Sequence, residues 1–174
     1  MAAAADPLLI TVEQYRQIPE REDVIQELHW GQLVNLTRPK ARHVKLQSRL
    51  VRLLRPKAEH LGYVESELTF RALPEYDLRA ADVAFVSKER WDAVGDDEDL
   101  LGAPELVFVV LSPSNTQTRI RELAALCLSK WDAGVVGARS ETANRYHHPR
   151  RTDHGLPHGR SITSELVGRL FGSQ

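Results

Sequence analysis

Leu106-Val107-Phe108-Val109-Val110-Leu111 is an unbroken apolar run, bounded by Pro104 before it and by Ser112-Pro113-Ser114-Asn115 after it. Its length and β-branched content predict a strand buried on both faces, the form that a central strand of a mixed sheet takes. Downstream, residues 116–129 are rich in Ala and Leu and read as a helix, with Ser114 or Asn115 as its N-cap. Upstream, residues 63–71 and 78–86 read as two further strands joined by a turn containing Pro74. Residues 41–60 carry a helical pattern, which Pro56 is expected to kink or end because proline removes a donor and crowds the preceding turn. Residues 24–29 and 32–36 predict a hairpin, with Trp30-Gly31 as the tight reversal. Thr11 followed by Gln14 is a capping box, which places a short helix over residues 12–18 ahead of Pro19. The order helix, hairpin, helix, strands, buried strand, helix describes an α/β (α+β) domain: a mixed sheet flanked by helices.

Composition sets the bounds on this reading. A chain of 174 residues with 42% hydrophobic content suits one globular domain with its own core. The apolar run above is far short of the ~20 residues that a membrane span needs, and residues 1–5 carry neither a basic nor a long apolar leader, so a cytoplasmic protein without membrane contact is expected. A single cysteine, Cys127, excludes an intramolecular disulfide and offers no zinc-ribbon spacing. The net charge of -1 points to no particular partner.

Charge distribution is more informative. Between residues 38 and 57 stand Arg38, Lys40, Arg42, Lys45, Arg49, Arg52, Arg55 and Lys57, with no Asp or Glu among them. On a helix, Arg42, Lys45, Arg49 and Arg52 recur at spacings of three and four and share a narrow face, with Leu46, Leu50, Leu53 and Leu54 beside and behind it. Such an edge suits a phosphate backbone, and a merely solvated surface helix reads the same way.

Several local motifs carry a resemblance. Thr11-Val12-Glu13-Gln14-Tyr15, Gln26-Glu27-Leu28 with Gly31-Gln32-Leu33-Val34, Ala81-Asp82-Val83-Ala84-Phe85-Val86, and Gly102-Ala103-Pro104-Glu105-Leu106-Val107 through Leu111-Ser112-Pro113-Ser114-Asn115-Thr116 follow one another in order and spacing. In this the chain resembles the Uma-two family of restriction-endonuclease-like proteins over residues 11–128. The resemblance implies the PD-(D/E)XK fold, a Mg²⁺-dependent DNA endonuclease as the activity class, and DNA as the partner; a homodimer is compatible with it. Phosphodiester hydrolysis needs oxygen ligands for Mg²⁺ and a lysine that orients the attacking water.

Carried over residue by residue, Glu27 matches the family's hairpin glutamate as a catalytic position. Asp82 matches the catalytic, metal-binding aspartate, although Ala81 stands where proline usually precedes it. The glutamate of the buried strand falls at Val109 and the helix lysine at Leu123. A valine cannot bind a metal, so Mg²⁺ binding is expected to be weak and the chain inactive. The alternative is a non-catalytic nucleic-acid-binding remnant or a decayed gene product. Glu105 shares the strand face of Val109 but lies roughly 13 Å away by strand rise, and a guanidinium at Arg119 is a poor substitute for the lysine. His43 matches a family histidine, and a phosphate contact, a place in the site or a structural role are all open to it; with Arg42, Lys45, Arg49 and Arg52 it completes the candidate nucleic-acid-binding set. Ser112 and Ser114 could cradle a phosphate, though N-capping alone accounts for them. His147, His148, His154 and His158 lack a zinc spacing, and residues 96–99 lack the alternation of a calcium loop.

Beyond Lys130 the pattern degrades: residues 134–160 sustain neither a period of 2 nor one of 3.6. The expected division is therefore a domain over residues 1–130 and an irregular tail over 131–174. Where the family reads Ala-Asn-Gly-Met-Gln-Glu-Leu-Trp, this chain reads Ser129-Lys130-Trp131-Asp132-Ala133-Gly134-Val135-Val136. The permissible codons AGC AAA TGG GAT GCA GGA GTT GTG G, read one base later, encode the family's segment throughout. This suggests a single-base frameshift near Ser129, with a native but divergent tail as the other reading.

Overall fold

The computed structural model describes residues 8–111, 117–131, 134–138 and 143–144. In chain order the elements are α1 (Val12–Tyr15), β1 (Ile25–His29), β2 (Gln32–Leu36), α2 (Ala41–Ala58), β3 (Gly62–Arg71), β4 (Arg79–Ser87), α3 (Lys88–Asp92), β5 (Leu100–Leu101), β6 (Leu106–Val110), α4 (Gln117–Trp131), β7 (Gly134–Ala138) and β8 (Ala143–Asn144).

Local chemistry explains the N-terminal elements. The Thr11 N–H donates to Gln14 Oε1 at 2.8 Å and the Gln14 N–H donates to Thr11 Oγ1 at 3.2 Å, so the capping box is formed. The helix is shorter than expected, because Gln17 and Ile18 bond back only three residues, to Gln14 and Tyr15, and the turn tightens before Pro19. Trp30 and Gly31 both take positive φ, 54° and 74°, the twist that a two-residue hairpin requires. A Cβ at Gly31 would also come within 2.9 Å of Leu9 Cβ.

The α2 helix continues through Pro56 to Ala58 instead of stopping there. Pro56 lies in the final turn, so the helix forgoes one bond, at its end, and the buried Leu54 and Ala58 hold that turn on the sheet.

Six strands form the main sheet in the order β5-β3-β4-β6-β7-β8, and β1 and β2 make a separate two-stranded sheet. β3 and β6 both run antiparallel to β4, and β7 runs parallel to β6. This mixed sheet is the expected fold class. β6 is one of its interior strands, buried along nearly its whole length. Among the described residues, two apolar clusters pack on the main sheet, and a third, of Val12, Leu28 and Leu78, lies beside the small sheet. Of the first two, one, with Leu54 and Ala58 of α2, gathers Val64, Val83, Phe85, Leu106, Phe108 and Val136; the other, with Ala124 and Cys127 of α4, gathers Phe70, Ala84, Val86, Val107 and Val135. α2 and α4 thus cover opposite faces of the sheet.

Residues 134–138, read as part of an irregular tail, form β7, which pairs with β6 from Leu106↔Gly134 to Val110↔Ala138. A run of Gly, Val and Ala buried on both faces alternates with nothing polar and so shows no period of 2. The sheet therefore continues past residue 130. The proposed N-caps Ser114 and Asn115, the phosphate cradle of Ser112 and Ser114, and the four tail histidines lie outside the described residues.

Candidate functional site

The site lies where α2 meets the paired strands β3 and β4. His43 and Gln47 sit one helical turn apart on α2, on the side turned toward the sheet; Gln47 is buried and His43 half-buried. On the sheet, the pairings Ser66↔Val83 and Leu68↔Ala81 bracket Glu67 and Asp82, which therefore stand opposite one another on adjacent strands. Glu67 takes φ of 55°, a left-handed conformation unusual for a non-glycine residue in a strand. It marks a switch of face: Val64 packs in the cluster under α2, whereas Leu68 and Phe70 pack with the cluster under α4. The same switch separates Val83 from Ala81 on β4, on either side of Asp82.

Asp82 is held at both oxygens. Its Oδ1 meets His43 Nε2 at 2.8 Å and accepts from Gln47 Nε2 at 3.4 Å, and its Oδ2 accepts the Val110 N–H at 2.6 Å. Gln47 Nε2 also donates to Glu67 Oε1. Ligand atoms of His43, Glu67 and Asp82 all lie within 4.8 Å of one another. Burial raises the Asp82 pKa above the usual carboxylate value; the His43 ring and the Val110 N–H oppose the rise, and the charge of Glu67 adds to it.

The other site residues read from the sequence fall as follows. Glu27 lies on β1, in the small sheet. Its Oε1 accepts the Ala80 N–H at 2.9 Å and its Oε2 meets His29 Nε2 at 2.6 Å, so this buried carboxylate ties the hairpin to β4 two residues before Asp82. Main-chain bonds between Leu28 and Leu78, at 2.9 and 2.8 Å, complete the tie. Val109 follows the pairing Val83↔Phe108 by one step and so stands opposite Asp82 on the neighbouring strand. Val109 and Leu123 both pack, partly buried, on the apolar cluster under α4. Where the resembled site has a carboxylate and a lysine, this chain makes an apolar contact. Glu105 pairs with Arg90 Nη1 at 3.1 Å, at the far end of β6, so it does not reach the site.

Mg²⁺ does not fit the positions that the resemblance assigns to it. That ion demands near-octahedral oxygen coordination, yet Val109 supplies no oxygen and Leu123 no ammonium group, both side chains packing on the apolar cluster under α4.

On the outer side of α2, the exposed Arg42, Lys45 and Arg49 line a shallow groove with Leu46, and Arg52 continues the edge. Arg55 is not part of it, since its guanidinium pairs with Glu65 at 2.9 Å. His43, grouped with the basic edge on sequence grounds, turns inward to Asp82 instead. Glu67 and Gln47 were missed by sequence reasoning. Gln47 had a signal, its position one turn after His43; Glu67 had only its place in a strand.

Among the described residues no helix is long and apolar enough to cross a membrane. A comparison with curated proteins returned no match. Among solved structures, the chain is similar to a protein of Anabaena variabilis described as "a putative nuclease belonging to DUF820", with a TM-score of 0.65 and 19% identity, covering 93% of this chain and 97% of that one. At that identity the likeness concerns the fold. Residues 12–163 match the Uma2 family, described as "Putative restriction endonuclease", and this match extends beyond residue 128, where the sequence resemblance was seen to end. The chain is a member of the Uma2 family.

Proposed function

We propose that this protein is a DNA-binding member of its nuclease family that does not carry out Mg²⁺-dependent phosphodiester cleavage. One observation carries the reading: Val109 stands opposite Asp82, so the metal-binding strand pair has one carboxylate where the chemistry needs two. Leu123 compounds the loss, because it joins an apolar cluster and supplies no ammonium group. Asp82 also has a structural role. It accepts the Val110 N–H and the donors of α2, and so ties β4 to β6 and to the helix.

DNA binding is assigned to the exposed edge of Arg42, Lys45, Arg49 and Arg52, supported by the family and by the absence of acidic residues along that helix. The protein acts in the cytoplasm, as a monomer or a homodimer. The one-base shift near Ser129 would alter only the residues after it, so it is proposed for the tail and not for the loss at Val109 and Leu123; resequencing the gene at that codon tests it.

The test is a binding titration on duplex DNA in EDTA. Affinity should fall steeply with salt, at about 0.9 log units per log unit of salt for each phosphate contacted. No binding in low salt, or binding indifferent to salt, would remove the DNA assignment and leave α2 a solvated helix.

A further inference from the structure

Glu67 and Asp82 face one another across adjacent strands, an arrangement that is destabilising for like charges unless something cationic lies between them. The groups that reach into this space are nitrogen atoms: His43 Nε2 on Asp82, and Gln47 Nε2 on both carboxylates. These donors converge where a cation bridging the two carboxylates would sit. We propose that His43, Glu67 and Asp82 form a binding site for a divalent transition-metal ion, selecting Zn²⁺ over Mn²⁺ and both over Mg²⁺.

The ligand set argues for that selectivity. The site assigned by family resemblance would be built of oxygens between β4 and β6. In this chain Val109 removes the β6 oxygen, and the groups that remain together lie on the opposite side of Asp82, on α2 and β3. One of them is an imidazole, a ligand that suits Zn²⁺ and its neighbours, whereas Mg²⁺ favours carboxylate, carbonyl and water. Zn²⁺ bonds to imidazole and carboxylate are about 2.0–2.2 Å long, which sets ligand atoms roughly 3–3.5 Å apart. The atoms here lie within 4.8 Å of one another, so rotation of side chains by about an ångström closes the set. Glu67 is exposed and has the freedom to make most of that movement.

His43 changes role on binding: the ring nitrogen that meets Asp82 at 2.8 Å becomes a ligand in its neutral form. Gln47, freed from bridging the carboxylates, can turn its amide and offer the carbonyl oxygen as a neutral neighbour. Three protein ligands leave at least one position for water.

The inference rests on the loss of the carboxylate at Val109, as the proposed function does. It concerns metal alone, however, and is tested without DNA, so either can fail while the other stands. The experiment is calorimetric titration of the untagged full-length chain, stripped with EDTA and dialysed, with ZnCl₂, MnCl₂ and MgCl₂ in turn. One Zn²⁺ per chain is expected, with affinity in the order Zn²⁺, Mn²⁺, Mg²⁺, and X-ray absorption should show a single imidazole in the zinc shell. Glu67→Gln, Asp82→Asn and His43→Ala should each weaken Zn²⁺ binding by about 100-fold or more, beyond the 10–100-fold typical of outer partners. Replacing His147, His148, His154 and His158 with Asn should leave this site intact and remove any adventitious zinc. If His43→Ala fails to fold, Glu67→Gln still decides, since it is isosteric at an exposed position. Mg²⁺ binding as tightly as Zn²⁺ would overturn the proposal. So would zinc binding that survives Glu67→Gln and disappears with the tail histidines.

Discussion

Replacing Val109 with glutamate would put a second carboxylate opposite Asp82, and its cost can be worked from the pairing. Residues directly opposite on antiparallel strands hold their Cβ atoms about 5 Å apart. Two unit charges at about 5 Å and an effective dielectric of about 20 repel by roughly 3 kcal/mol. Burial already raises the Asp82 pKa, and Glu67 already adds a like charge. The Val109→Glu variant in EDTA should therefore be less stable than the parent by about 3 kcal/mol at neutral pH, a fall in Tm of roughly 6–12 °C for a chain of this size. Lowering the pH should shrink the deficit, because protonating either carboxylate removes the repulsion. Adding Mg²⁺ should raise the Tm of the variant and not that of the parent, by about 2.7 kcal/mol of stabilisation at a hundredfold excess over Kd. Differential scanning calorimetry with and without Mg²⁺ reads both effects. A variant as stable as the parent in EDTA and insensitive to Mg²⁺ would show that Val109 is not at the metal position, and the case for a lost site would fall with it.

Other consequences can be checked independently. Neutralising Arg42, Lys45, Arg49 and Arg52 together should weaken DNA binding and flatten the log-log salt slope by about 0.9 for each phosphate no longer neutralised; an unchanged slope would place the interface elsewhere. Gly62→Ala should destabilise the fold by about 3 kcal/mol or more, since the new Cβ would lie 2.1 Å from the Val86 carbonyl oxygen, in backbone that cannot step aside; a neutral melt would contradict the register of β3 on β4. Burial pushes the Cys127 thiol up from its ordinary 9.0 to about 12. The native chain should thus resist alkylation at about pH 8 and react only once unfolded. Because the folded-state value is the higher one, this thiol contributes stability below pH 9.0 that is lost as pH rises toward 12. The loss runs at up to about 1.4 kcal/mol per pH unit, and Cys127→Ala should flatten that slope.

Much of the fold was legible because its signals are local. The capping box of Thr11 and Gln14, the Trp30-Gly31 reversal and the apolar run of β6 each state their conformation within a few residues. Pro56 did not end the helix, because the effect of a proline depends on where it falls and in the last turn it costs little. β7 was hidden because a strand buried on both faces by Val, Gly and Ala carries no alternation. At the site, Asp82 and its missing partner at Val109 were readable from the motif order, and the register sets the two opposite one another. Glu67 could not be read: its approach to Asp82 depends on strand pairing across a left-handed residue, and nothing marks a glutamate for positive φ. For Glu27 the motif gave the residue but not its setting. Its bond to the Ala80 N–H joins two separate sheets, a long-range relation that no local pattern encodes.

Cleavage of supercoiled plasmid in Mg²⁺ by the purified full-length chain tests the central claim most directly. Losing the carboxylate and the lysine could each cost about 10²–10³ in rate, by analogy with the loss of a single oxyanion donor, though groups acting as one unit need not add. The plasmid should be retarded in low salt and left uncut, with Val109→Glu and Leu123→Lys together required before any nicking appears. Robust Mg²⁺-dependent cutting by the unaltered chain, abolished by Asp82→Ala, would contradict that claim.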